Sequence, residues 1–146
     1  MKKLFACILI LALLLPAACA DEIPHATVSF RAENGSEEVL HATLKDNDAA
    51  RALAAMEDIT FLMADLNGNE KFAYLPAPLT ESTEPIEMIR AGDILLFGSK
   101  CLVIFYQDAP STYNYTRIGH ITNIQNLTAL LGTGDVNVRF LFEKAE

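Results

Sequence analysis

The sequence predicts a mainly β fold, a closed or nearly closed barrel of eight strands with two short helices. Three observations predict it. Eight short segments either alternate apolar and polar residues or form continuous apolar runs, which is typical of strands. Turn residues separate several of these segments. Two other segments repeat apolar residues at helical spacing. Closing eight strands into a barrel would leave no unpaired edge.

The first half of the chain contains four of the strands and one helix. Residues 27–33 alternate, with Val28, Phe30 and Ala32 directed inward, and residues 34–36 then form an Asn-Gly turn. The other elements are, in order, a strand over residues 39–44, a helix from Asp46 or Asn47 through Met56, a strand over residues 58–66, a turn at residues 67–69 and a strand over residues 71–75.

The second half begins with residues 76–90, a proline-containing stretch without periodic pattern that predicts a loop. Two continuous apolar runs follow, and they predict a hairpin buried on both faces. The remaining elements are a loop, a long strand, a helix capped by Asn123 and stopped by Gly132, and a last alternating strand. Their bounds are 94–97 and 101–106 for the hairpin, 108–112 for the loop, 113–121 for the strand, 124–131 for the helix and 136–142 for the last strand.

The first twenty residues are typical of a bacterial export signal. Lys2 and Lys3 precede an apolar run over residues 4–15, and small residues follow up to Ala20. The run is too short to span a bilayer, which needs about 20 residues. A buried N-terminal helix would not explain the paired lysines and the small residues. We therefore expect residues 1–20 to be a signal segment, residues 21–25 a short linker and residues 26–146 one domain.

Two processing routes are open. Ala18-Cys19-Ala20 fits the Ala-Xaa-Ala rule, with cleavage before Asp21. The stretch that ends at Cys19 also resembles a lipobox, in which Cys19 would be lipidated and become the first mature residue, although Pro16 departs from that pattern. Lipidation is the favoured route, because a cysteine rarely falls at this position by chance. The expected location is periplasmic, membrane-anchored or secreted, with membrane contact only through a lipid anchor or an uncleaved signal.

The composition argues against a nucleic-acid partner. The formal charge of the whole chain is −8, and loss of Lys2 and Lys3 with the signal would make it −10. An acidic domain without a basic cluster repels phosphate backbones. Cys101 lies in an apolar run without an evident disulfide partner, and we expect it to pack as a small hydrophobic residue. The sequence does not indicate an oligomeric state.

Several segments, in fixed order, resemble the bacterial cyclophilin-like domain of uncharacterised function. They are Asp65-Leu66-Asn67-Gly68-Asn69-Glu70-Lys71, Tyr74-Leu75-Pro76, Ala91-Gly92-Asp93, Phe97-Gly98-Ser99, Leu102-Val103-Ile104-Phe105-Tyr106 and Tyr113-Asn114-Tyr115-Thr116-Arg117-Ile118-Gly119. The resemblance covers roughly residues 26–142 and implies an eight-stranded barrel with two helices. It does not imply prolyl isomerase activity, because the Phe-His-Arg, Gln-Gly-Gly and Gly-Ser-Gln-Phe-Phe segments of true cyclophilin isomerases are missing.

No metal or cofactor site is expected. His25, His41 and His120 are scattered and match no metal-ligand spacing, and glycine-rich phosphate loops and serine nucleophile motifs are missing. The segment 65–70 superficially resembles a calcium loop, but it lacks the required ligand spacing and is better explained as a tight hairpin.

One strand carries the candidate site. In residues 113–121, period two places Tyr113, Tyr115 and Arg117 on one face. One interpretation is a cross-strand aromatic ladder covered by the arginine stem. The other is a ligand-binding face for a peptide, a carboxylate or a ring-bearing ligand, which Phe72 and Tyr74 could extend and the loop 76–90 could cover.

The sequence therefore favours a non-catalytic binding or accessory module for a peptide or small ligand at the cell envelope. The alternative is a peptidyl-prolyl isomerase or another enzyme on the same barrel. Fold alone does not decide between the two.

Overall fold

The structure is a computed structural model, and it describes residues 25–31, 37–132 and 134–143. The signal segment, the linker up to Pro24, the lipidation candidate Cys19 and the turn predicted at residues 34–36 lie outside the described residues. None of the described helices is long and apolar enough to cross a membrane.

Eight long strands form a closed antiparallel barrel, which confirms the predicted fold class. The strands of the described residues are β1 (His25–Arg31), β2 (Glu37–Leu44), β3 (Asp58–Leu66), β4 (Glu70–Tyr74), β5 (Glu84–Pro85), β6 (Met88–Ile89), β7 (Asp93–Phe97), β8 (Cys101–Phe105), β9 (Ala109–Pro110), β10 (Asn114–Ile121) and β11 (Val136–Phe142). The order of the long strands around the barrel is β2-β1-β11-β3-β4-β8-β7-β10, and β10 pairs with β2 to close it. The other three, β5, β6 and β9, are only two residues long.

The barrel closes at a seam where β10 approaches β2 closely. Gly119 lies opposite Leu44 in this pairing. A Cβ atom at position 119 would come within 2.5 Å of the carbonyl oxygen of Thr43. Only glycine therefore allows the two backbones to approach closely enough to pair.

The β3–β4 hairpin forms as the sequence predicts. Asn67 and Gly68 both have positive φ, 55° and 67°. Those angles belong to the type I′ turn, whose twist matches that of the flanking strands. The turn explains the segment 65–70 without a calcium site.

The β7–β8 hairpin is buried on both faces, also as predicted. Ile94 and Leu96 face the main core inside the barrel, whereas Leu95 packs in a second apolar cluster on the outer surface. This outer cluster consists of Ile86, Ile89, Leu95, Val103, Phe105 and Tyr115, with Phe72 and Cys101 packed against it. Strands that bury both faces lose the usual polar alternation, which accounts for the continuous apolar runs.

Residues 76–90 are more ordered than a patternless loop. They contain β5, which pairs with β10, and β6, which pairs with β9. Ile86 and Ile89 pack into the outer cluster. Strands of two residues are too short to show a period-two pattern, so the sequence predicted no strand there.

Both predicted helices are present, but they are shorter than expected. Helix α1 is Asp48–Ala54, and the Asn47 side chain caps it by accepting a hydrogen bond from the backbone N–H of Ala50 at 2.9 Å. Met56, predicted as its end, lies beyond it. Helix α2 is Leu127–Leu131.

The predicted cap of the second helix is wrong. Asn126, not Asn123, stands at the N-cap position of α2, and its side chain makes no cap hydrogen bond. The backbone N–H of Leu127 bonds to the carbonyl of Ile124, three residues back, so residues 124–127 form a turn before the helix. Apolar spacing alone did not separate this turn from the helix.

Lys71 is buried inside the barrel, where the sequence suggested no charged group. Its ammonium donates to the Asp65 carboxylate at 2.7 Å and to the carbonyls of Gly132 and Gly134 at 2.9 and 2.6 Å. The Tyr106 hydroxyl donates to the same Asp65 oxygen at 2.6 Å. These bonds join the α2–β11 connection to β3, β4 and the end of β8. They also satisfy the buried charge, which would otherwise be costly.

Candidate functional site

A groove of about 350 Å³ lies on the outer face of the barrel, across the strands from the end of β3 to β10. Side chains alternate along each strand, so the residues that line this groove are drawn from those that do not face the main core. In the register, Phe72 lies opposite Val103, and Tyr74 lies opposite Cys101. The lining residues are Leu66, Asn67, Glu70, Phe72, Tyr74, Phe97, Cys101, Val103, Tyr113 and Tyr115.

Four of the five candidate residues named from the sequence line this groove together. Phe72 and Tyr74 come from β4, Tyr115 comes from β10, and Tyr113 immediately precedes β10. The fifth, Arg117, is not among the lining residues. Its guanidinium forms an ion pair with the carboxylate of Glu84 in β5.

The base of the groove is rigidly packed. Tyr115 is 6% exposed, and its ring lies 6.2 Å from that of Phe105 at 89° and 5.7 Å from that of Phe97. The Phe105–Tyr115 pair is edge-to-face, an arrangement that is favourable for aromatic rings, and the Phe97–Tyr115 pair is tilted at 56°. Tyr115 therefore contributes to the outer cluster and to the groove at the same time.

The rims of the groove are aromatic and exposed. Tyr74 is 71% exposed, Tyr113 is 60% exposed and Phe97 is 46% exposed. Phe97 and Tyr113 lie 5.7 Å apart at 80°, and Phe72 and Tyr74 lie 6.0 Å apart at 82°. Exposed rings gathered around one concavity are typical of a binding surface rather than of chance exposure.

Phe97 and Glu70 are the main lining residues that sequence reasoning missed. Glu70 is two residues before Phe72, so extending the β4 alternation by one step would have placed it on the same face. Phe97 carried no comparable local signal, because both faces of β7 are apolar.

Burial and negative charge shape the chemistry of the groove. Desolvation raises the pKa of the Glu70 carboxyl, and the nearby Asp65 carboxylate raises it further. Burial and the charge of Glu70 likewise raise the pKa of the Cys101 thiol, which makes it a weak nucleophile. Burial, followed by the charge of Glu70, also raises the pKa of the Tyr115 hydroxyl. In the part of the chain that the structure describes, no lysine, arginine or histidine lines the groove.

The segment 76–90, considered from sequence as a lid, is fixed beside the groove and contributes none of its lining residues. The backbone N–H of Ser82 donates to the Thr116 hydroxyl at 2.9 Å, and that of Leu79 donates to the carbonyl of Ser99 at 2.8 Å. The segment therefore supports the base from one side.

One oriented histidine lies outside the groove. His120 Nδ1 is 3.0 Å from Asp93 Oδ1, and Asp93 Oδ2 accepts a hydrogen bond from the backbone N–H of Arg90 at 2.9 Å. A shift in register between Arg117 and Gly119 breaks the alternation of β10 just before this pair. Within residues 25–31, 37–132 and 134–143, no three His, Cys, Asp or Glu side chains are grouped as a metal site.

The model of the cyclophilin-like family matches residues 34–141, well over half of the chain. The chain belongs to the cyclophilin-like family. This membership confirms the resemblance inferred from the ordered segments and agrees with the closed eight-stranded barrel. No curated protein and no solved structure gives a significant match. Membership of the cyclophilin-like family accounts for the fold and does not by itself determine the activity.

Proposed function

We propose that this cyclophilin-like domain is a non-catalytic binding or accessory module whose outer groove takes a peptide or a small ligand. The exposed rings of Tyr74, Phe97 and Tyr113 over a buried, tightly packed base carry this proposal. Rigid aromatic rings offer large contact area at low entropic cost. Among the described lining residues, the ionisable groups are the Glu70 carboxyl, the Cys101 thiol and tyrosine hydroxyls, and burial raises the pKa of that thiol, which disfavours the nucleophilic thiolate.

We further propose that the module works outside the cytoplasm, at the cell envelope. The support is the N-terminal sequence alone: two lysines, a short apolar run and small residues around Cys19. Mass spectrometry of the mature N-terminus tests this. A diacylglyceryl group on Cys19 indicates an anchored lipoprotein, and a free Asp21 indicates a released domain. A chain that still begins with Met1 in the exported fraction would contradict export.

Nuclear magnetic resonance tests the binding role. A pool of short peptides and small-molecule fragments is titrated into ¹⁵N-labelled protein, and ligands are expected to shift the amide signals of Tyr74, Cys101 and Tyr113. Tyr113→Ala should weaken these ligands at least tenfold. The matched control is Leu62→Ala, since Leu62 is 62% exposed and lies outside the groove. Equal weakening by both variants, or shifts scattered away from the groove, would reject the proposal.

A chromogenic peptide assay tests the non-catalytic part. Uncatalysed prolyl isomerisation takes tens to hundreds of seconds at 25 °C. We expect the protein to leave that rate unchanged. Acceleration that Tyr113→Ala removes would assign a prolyl isomerase to the groove instead.

A further inference from the structure

We infer that the groove selects a small organic cation, a ligand that carries an alkylated ammonium group. The inference rests on the proposed binding function and names its ligand class. The expected charge of the ligand also changes. The sequence placed the Arg117 cation beside the rings and made a carboxylate a possible ligand, whereas the groove is lined by the Glu70 carboxyl.

The first observation is the arrangement of the rings. Phe97 and Tyr113 meet at 80°, and Phe72 and Tyr74 meet at 82°. In each pair the edge of one ring meets the face of the other, and both pairs line the same groove. The face of an aromatic ring carries partial negative charge, and a cation within about 6 Å of the ring centre is attracted to it. Because the rings of Tyr74, Phe97 and Tyr113 are exposed at this groove, a bound cation can reach them.

The second observation is the charge of the lining. Glu70 provides a carboxyl group, and among the described residues no lysine, arginine or histidine lines the groove to neutralise it. Glu70 makes no ion pair with any residue in that part of the chain. Arg117 is held by Glu84 on the β5 side. A cationic ligand would complement the charge of this carboxyl.

The surrounding charges disfavour an anionic ligand. Desolvation and then the Asp65 carboxylate raise the pKa of Glu70. The charge of Glu70 in turn raises the pKa of Cys101 and of Tyr115. The Asp65 carboxylate is itself paired with the Lys71 ammonium, so Glu70 is the lining carboxyl that has no ion pair among the described residues. A bound cation would favour the ionised form of Glu70.

Size and hydration favour an alkylated ammonium over a primary amine. A volume of about 350 Å³ is at the lower end of small-molecule sites, which span about 300–1,000 Å³. A primary ammonium is strongly hydrated, and one carboxyl would replace few of its water contacts. Alkyl groups on nitrogen instead bury apolar surface against Val103 and the rings.

Choline and its neutral carbon isostere, 3,3-dimethylbutan-1-ol, test the inference in the same titration. The two molecules share shape and differ in charge. We expect choline to shift the amide signals of Tyr74, Cys101 and Tyr113 with a saturable curve, and the isostere to bind at least tenfold more weakly. Glu70→Gln should weaken choline about tenfold, whereas Glu81→Gln, which removes the same charge from an exposed site outside the groove, should not.

Alkylation of Cys101 supplies a second readout in the unmodified protein. Cys101 lines the groove, so bound choline should slow its reaction with a maleimide, and peptide mapping separates it from Cys7 and Cys19. Sedimentation with phosphatidylcholine vesicles identifies the source of the cation. Choline protection without vesicle binding indicates a free small molecule. Vesicle binding that Glu70→Gln removes indicates a lipid headgroup.

The outcomes separate the two proposals. Equal affinity for choline and its isostere, or choline binding that Glu70→Gln leaves unchanged, overturns the cation inference. If choline fails while a neutral or acidic fragment shifts the groove signals, the cation inference falls and the binding function remains. If neither choline nor any fragment or peptide shifts these signals, both fall.

Discussion

Tyr115→Ala tests whether the base of the groove is a packed part of the fold. The ring is 6% exposed and lies about 6 Å from two other rings, those of Phe97 and Phe105. Replacing a buried aromatic residue by alanine costs about 3–5 kcal/mol, because apolar burial is lost and a cavity remains. The edge-to-face pair with Phe105 adds about 0.5–1.5 kcal/mol beyond burial. We therefore expect a loss of about 4 kcal/mol in the free energy of unfolding.

Two variants calibrate this value. Tyr113→Ala removes a ring that is 60% exposed, so it should cost less than about 1 kcal/mol. Tyr115→Phe keeps the ring and removes the hydroxyl, which is hydrogen-bonded to the Ser111 side chain, so it should cost about 1 kcal/mol. Urea unfolding is followed by far-UV circular dichroism, because the chain contains no tryptophan for fluorescence.

The relation between the two alanine variants decides the result. A loss below about 1 kcal/mol for Tyr115→Ala would refute the packed base. Large and equal losses for Tyr113→Ala and Tyr115→Ala would mean that both rings act as a structural ladder, and the groove would lose its exposed rim.

Three further predictions concern the barrel itself. Lys71→Met should cost about 3 kcal/mol in urea unfolding, because Asp65 and two carbonyls lose their buried donor, whereas the exposed Lys100→Met should cost almost nothing. Hydrogen bonds from Lys71 and Tyr106 lower the pKa of Asp65. The stability that this carboxylate contributes is therefore complete above its ordinary pKa near 4 and is lost as the pH falls through the lowered value. A urea midpoint that stays constant from pH 6 to pH 2 would contradict this. Gly119→Ala should cost at least about 2 kcal/mol and speed amide hydrogen exchange at the β2–β10 seam, since its Cβ would meet the Thr43 carbonyl; unchanged exchange would exclude strain at the seam.

Local patterns predicted most of the fold. The alternating and apolar segments gave all eight long strands, and the Asn67-Gly68 pair marked a turn that the structure forms with both φ angles positive. These features depend on neighbouring residues, so they are readable from the sequence. The sequence did not predict the cap of α2 or the two-residue strands. The cap depends on distant contacts, and a strand of two residues is too short to show a period-two pattern.

The candidate site divides in the same way. Alternation alone placed Phe72 with Tyr74 on one face, and Tyr113 with Tyr115 on another. It did not show that β8 and β7 lie between those strands and bring both faces into one groove, with Phe97 at its rim.

The sequence by itself determined the β class, the turns and the direction of most side chains, because each follows from the geometry of a few consecutive residues. The tertiary structure decided what those side chains meet. Pairing of β5 with β10 engages Arg117 with Glu84, and closure of the barrel buries Lys71 beside Asp65. Glu70 consequently lies beside the aromatic rings and forms no ion pair within the described residues. Strand order and closure follow from burying the whole core at once, so no short stretch of sequence contains them.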